Sequence, residues 1–159
     1  MDVSSRHHLR SDEVRAIEET LAERLGIDIE ADAFELVEFA DEPFDVGLID
    51  GEPHVFYPDD EPFLTVKGAN AYEPTNRLVT VDTGAISFVS DGADVMRPGI
   101  TEADPAIEAG EYVVVVEEAH GKALAIGEAL TDGSDMTGSE GKVVATIHHV
   151  GDELFEFSI

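Results

Sequence analysis

Residues 78–100 read LVTVDTGAISFVSDGADVMRPGI, and the rest of the chain is arranged around them. Leu78, Val79 and Val81 form a short apolar strand that runs into the turn Asp82-Thr83-Gly84-Ala85. A brief amphipathic segment carries Ile86, Phe88 and Val89. The turn Ser90-Asp91-Gly92-Ala93 then leads to a second short strand through Val95 and Met96, closed by Arg97-Pro98-Gly99. Three glycines and one proline mark the joints. Glycine admits close backbone approach and positive φ, and proline pre-sets a turn. Such a corner turns main-chain N–H groups outward at the start of a short helix, where an anion is favoured.

The same residues resemble the signature of the PUA domain, the RNA-binding module named for pseudouridine synthases and archaeosine transglycosylases. The likeness is strongest to small archaeal PUA proteins related to the malignant-T-cell-amplified and ligatin translation factors. It rests on VDTGAISFVSDGADVMRPGI, followed by a later Gly151-Asp152 before a hydrophobic ending. It extends over residues 5–159. The fold it implies is an α+β pre-PUA domain over residues 1–73 and a mostly β PUA pseudo-barrel with short helices over residues 74–159.

Composition sets independent bounds. At 159 residues, 43% of them hydrophobic, the chain can bury a core in one or two small domains. Asp and Glu total 36 against nine Lys and Arg, a formal charge of -27. Acidic disordered tails hold such charge in blocks, whereas here it is spread between regular apolar patterns. A folded protein with an acidic surface tolerates the self-repulsion where salt screens it, which predicts a halophilic, archaeal source. No apolar run approaches a membrane span and no signal segment opens the chain, so a cytoplasmic protein without membrane contact is expected. The absence of cysteine excludes disulfides, thiol nucleophiles and zinc–thiolate sites.

Outward from the corner, Ser11 is placed to cap a helix whose Val14, Ile17, Leu21 and Leu25 recur at helical spacing. Glu18, Glu19 and Glu23 face water between them, and Gly26 sits at the end. Residues 1–10, with Arg6, His7, His8 and Arg10, read either as a frayed terminus or as a basic arm on RNA or ribosome. Strands are expected over residues 34–40, 46–49, 54–57 and 63–66, with Asp50-Gly51 as a hairpin turn. Residues 67–75 read as a linker. Beyond the corner, residues 112–117 and 123–129 are strands around His120-Gly121-Lys122, residues 131–141 a loop, and residues 143–150 and 153–157 the closing strand material.

The chemistry-bearing motifs are sparse. His148 and His149 are adjacent, so on a strand they face opposite ways and cannot share a metal ion. Acidic groups such as Asp59-Asp60-Glu61 lack the alternation of a calcium loop. Asp82-Thr83-Gly84 resembles the aspartic-protease triplet, but the second copy such enzymes need is missing. No catalytic residue, metal site or cofactor is expected.

The PUA likeness implies RNA contact at Thr83, Gly84, Ala85, Phe88, Met96, Arg97, Pro98 and Gly99, with Lys122 and Lys142 as further cations. Arg97 stands out, because a guanidinium can clamp phosphate or stack on a base. The expected function is non-catalytic RNA binding in translation, at a tRNA acceptor end or small-subunit rRNA. Partners would be the small ribosomal subunit and a separate translation-factor protein. The alternatives are a protein-interaction adaptor and an accessory subunit of an RNA-modifying enzyme.

Overall fold

The computed structural model describes all residues, 1–159, as two β-sheets that share a core. The chain starts with strand β1 (Val3–His8) and helix α1 (Ser11–Leu25). Strands β2 (Phe34–Phe39), β3 (Asp45–Ile49), β4 (Glu52–Tyr57) and β5 (Phe63–Leu64) complete a five-stranded antiparallel sheet in sequential order. Neighbouring strands joined by short turns need no crossover, and Asp50-Gly51 with positive φ at both residues makes the β3–β4 hairpin as predicted. Leu21 and Leu25 of α1 are fully buried against this sheet's core residues, among them Phe34, Val46 and Phe63.

Three local readings are corrected here. Residues 3–8 are neither frayed nor a free arm: β1 pairs along β2, and Glu35 holds both Arg6, at 2.7 Å, and His8, at 3.2 Å. Arg10 takes the cap position expected of Ser11, with the Glu13 carboxylate accepting its backbone N–H at 3.2 Å. Glu18 is half-buried and accepts the Ala31 N–H at 2.9 Å, so it braces the chain after the helix.

The expected linker is a helix, α2 (Val66–Tyr72). Thr65 caps it, accepting the Gly68 N–H at 3.0 Å while donating to the Pro53 carbonyl at 2.8 Å. Gly68 lies against β4, where any Cβ would run into the His54 carbonyl oxygen. Close approach therefore selects a poor helix former, which hides the helix from its own sequence.

The second sheet is built from β6 (Leu78–Val81), β7 (Val95–Met96), β8 (Ile100–Ala103), β9 (Tyr112–Glu117), β10 (Ala123–Ala129) and β11 (Lys142–His149). Helix α3 (Ile86–Ser90) follows β6 through a 3₁₀ turn at Thr83–Ala85. The strand order is β7-β11-β10-β9-β6-β8, with β6 parallel to β9 and the other pairs antiparallel. The two edge strands, β7 and β8, are joined directly by the 3₁₀ turn Arg97–Gly99. The sheet thus curls into a nearly closed barrel whose seam is that turn, which limits the exposed strand edge.

Four consecutive valines in β9 show how the sheets are joined. Val113 and Val115 pack inside the barrel with Val79, Val81 and Val144, whereas Val114 and Val116 join the core of the first sheet. A strand buried on both faces has no reason to alternate polar and apolar residues. The polar links are equally specific: Asn70 of α2 accepts the Ala123 N–H at 2.8 Å and donates to the Ala123 carbonyl at 3.3 Å. Residues 153–157, expected as strand, begin with helix α4 (Glu153–Glu156), capped by Asp152 through the Phe155 N–H at 2.8 Å. No helix is long and apolar enough to cross a membrane.

Candidate nucleic-acid interface

The barrel seam opens into a hollow of about 430 Å³ between α3, the turn before it and β7. Of the residues singled out from sequence, Gly84, Ala85, Phe88, Met96, Pro98 and Gly99 line it. Asp82, Val89, Ala93, Asp94 and Val95 complete the wall. Phe88 is 67% exposed and Met96 48%, so these large apolar side chains are surface and not core. Thr83 is exposed beside the hollow without lining it.

Local hydrogen bonds shape this wall. Asp82 accepts the Ala85 N–H through Oδ1 at 3.0 Å in an Asx-type turn, and its own N–H donates to the Gly99 carbonyl at 2.8 Å. That second bond ties the two turns of the seam together. The first bond occupies the Ala85 amide, one of those expected to face an anion. A Cβ at Gly99 would sit 3.1 Å from the Ala85 Cβ, so glycine lets the two turns approach closely.

Arg97 has a different occupation from the one its sequence position implies. Its Nε donates to the Asp135 carbonyl at 2.8 Å and its Nη1 to the Glu140 carbonyl at 3.0 Å. It does not line the hollow; it holds the 131–141 loop against the seam. Only Nη2 has no hydrogen-bond acceptor within the chain. The loop accommodates it with Gly141, at φ +100°, where a Cβ would lie 2.7 Å from Nη1.

Lys142 is the register partner of Met96, and its Nζ lies 3.2 Å from Asp94 Oδ2 at the edge of the hollow. Asp94 Oδ1 accepts the Thr146 N–H at 2.9 Å; that bond, with Lys142 beside it, holds the carboxyl below its usual range. Lys122 sits apart, on the β9–β10 turn. There the Glu117 carboxylate accepts the Lys122 and His120 amides at 3.0 and 2.6 Å, and these bonds keep it below its usual range too.

The electrostatic result is specific to this corner. Thr83 to Ser90 carries no charge in a chain of formal charge -27, and both carboxylates lining the hollow are engaged by donors. At this opening a polyanion meets a ring, a thioether and backbone. An exposed aromatic ring stacks on unpaired bases, and a thioether beside it adds apolar contact. The pairing of Asp94 with Lys142, 48 positions away, and the reach of Arg97 to residues 135 and 140 leave no local signal in the sequence.

Residues 77–151, which contain the whole hollow, match the family model described as PUA domain. A solved structure of a conserved PUA domain protein from Thermoplasma acidophilum superposes with a TM-score of 0.82 at 31% identity, covering 95% of this chain and 97% of that one. The chain belongs to the PUA domain proteins. Its PUA segment is the nearly closed barrel just described. An uncharacterized protein of Methanocaldococcus jannaschii is 42% identical over 115 residues, covering 72% of this chain and 71% of its own length. Translation machinery-associated protein 20 of Saccharomyces cerevisiae is 36% identical over 118 residues, covering 70% of this chain and 65% of the yeast protein.

Proposed function

We propose that this is a non-catalytic RNA-binding protein acting in translation, with the seam hollow as its contact for unpaired bases. The observation that carries the proposal is the exposure of Phe88, on the charge-free stretch 83–90, and of Met96 in the same hollow, whose two lining carboxylates, Asp82 and Asp94, are both engaged by donors. The PUA fold and relatives named for the translation machinery support it. The preferred targets are a tRNA acceptor end and small-subunit RNA, since a single-stranded end offers bases that can be splayed onto an aromatic side chain. Residues 1–73 then serve as the pre-PUA domain and 74–159 as the PUA domain, with the small ribosomal subunit and a separate translation factor as partners. The setting is a salt-rich archaeal cytoplasm.

In molar salt, counterion release contributes little attraction, and affinity must come from stacking, shape and a few aimed donors. The hollow offers stacking surface, with Lys142 at its margin beside Asp94. The direct test is binding of labelled tRNA and of the same tRNA lacking its CCA end, in ~2–3 M KCl where screening is complete. Loss of binding on truncation supports the acceptor-end reading. Equal binding of both transfers the contact to other RNA, and no RNA binding with co-purification of protein alone favours the adaptor.

A further inference from the structure

A second cleft, of about 400 Å³, lies between the two sheets, and its chemistry is opposite to that of the hollow. Its apolar floor is made by Phe44 and Phe56 from the first sheet and Tyr112 and Ile147 from the second. Ile147 is 42% exposed there. Phe44 and Phe56 meet edge to face, with centroids 6.2 Å apart, which fixes that side of the floor. Three carboxylates stand at the rim: Glu42, Glu128 and Glu153. None of the three makes a hydrogen bond or a direct ion pair within the chain, although the Met1 ammonium, itself paired with Asp41, feels the charge of Glu153 and Glu42; Asp152, by contrast, is held by His148 and backbone amides. Glu128 is the register partner of Tyr112 on the adjacent strand, so charge and ring are presented side by side.

We infer that this cleft is a docking site for an extended segment of a partner protein that carries an apolar side chain flanked by arginines. The apolar side chain covers Ile147 and the rings, and the flanking guanidinium groups meet the unpartnered carboxylates. A cavity of this size holds one or two side chains of a strand and not a folded surface. Arginine fits better than lysine because its planar fork binds carboxylate bidentately and is less strongly hydrated. Where salt screens long-range attraction, the apolar contact supplies affinity and the close charge pairs supply selectivity. A polyanion is excluded by the same three carboxylates, so the two openings divide RNA and protein between them. The inference does not rest on the RNA reading, and each can fail alone.

The test is an NMR titration of the ¹⁵N-labelled full chain with a blocked Arg-Leu-Phe-Arg peptide, a blocked Glu-Leu-Phe-Glu peptide and an unpaired RNA oligonucleotide. The arginine peptide is expected to shift the amides of Phe44, Ile147 and Leu154 while leaving Phe88 and Met96 unmoved. The glutamate peptide should bind about tenfold more weakly, as like charges face each other at the rim. Ile147→Glu, at an exposed position, should abolish the arginine peptide's shifts with the melting temperature unchanged, and Glu128→Gln should weaken them. Equal shifts from both peptides, arginine-peptide shifts spread over the whole acidic surface, or RNA shifts within the cleft would each overturn the inference.

Discussion

Phe88 and Met96 offer the cleanest separation of binding from folding. Both side chains are about half exposed or more, so Phe88→Ala and Met96→Ala should leave stability within about 0.5 kcal/mol, as surface changes usually do. If Phe88 stacks on a base, its removal weakens RNA binding by about 1–3 kcal/mol, roughly five- to 150-fold. Calorimetric melting and RNA titration of each variant check both halves. Arg97 behaves differently, because two of its donors hold the 131–141 loop. Arg97→Lys keeps the charge but offers a single point donor where two carbonyls wait, and so should loosen the loop about as much as Arg97→Ala. Faster amide exchange in residues 133–141 of both variants is the expected readout; full protection in the lysine variant would restore the simple cation role.

At the scale of elements, the contact between β11 and α2 rests on one imidazole. His148 is 1% exposed. Its Nε2 accepts the Val66 N–H at 3.1 Å, and its Nδ1 lies 2.8 Å from Asp152 Oδ2. An amide only donates, so the ring proton sits on Nδ1 and points at the carboxylate. His148→Ala strands the buried Val66 amide, which costs about 1–3 kcal/mol, and removes one of the donors on Asp152, so it should lower the melting temperature by several degrees. Burial pushes the Asp152 carboxyl up, but the His148 hydrogen bond and the His149 and Phe155 amides together pull it below its usual range. A depressed folded value means that this stabilisation is complete above the ordinary carboxylate value, about 4, and drains away as the pH falls through the lower folded value. Asp152→Asn should therefore be less stable at neutral pH and show a shallower loss on acidification, measured as melting temperature against pH.

The same scale shows what was legible in the sequence. Helix α1, strands β2 to β4, the Asp50-Gly51 hairpin and the strand–turn–helix at residues 78–90 follow from periodicity and turn residues alone, because each is decided within a few neighbours. The N-terminal strand, α2 and α4 do not. Val3–His8 is an edge strand with polar faces, Val66–Tyr72 is too short to show a period and carries a packing glycine, and Glu153–Glu156 is a single capped turn. Six proposed contact residues converge on the hollow because they share one corner of the chain. Arg97 and Lys142 are placed by partners far off in sequence, which no local pattern encodes, and Lys122 stands on the separate β9–β10 turn.

For the whole molecule the decisive quantity is charge. Five of the nine cations, Arg6, Arg10, Arg24, Arg77 and Lys142, are already within ion-pair distance of carboxylates, which leaves a large acidic excess at the surface. Screening should raise the melting temperature substantially between ~0.1 M and ~3 M KCl, since the Debye length is about 3 Å at 1 M. An unchanged melting temperature would remove the halophilic reading. On the proposed RNA reading, the same charge favours the seam hollow, whose lining carboxylates Asp82 and Asp94 are both engaged by donors. The most direct measurement is tRNA affinity of Phe88→Glu beside wild type and Ile147→Glu, in ~2–3 M KCl. The account predicts that Phe88→Glu loses binding while Ile147→Glu keeps it; wild-type affinity in Phe88→Glu would contradict it.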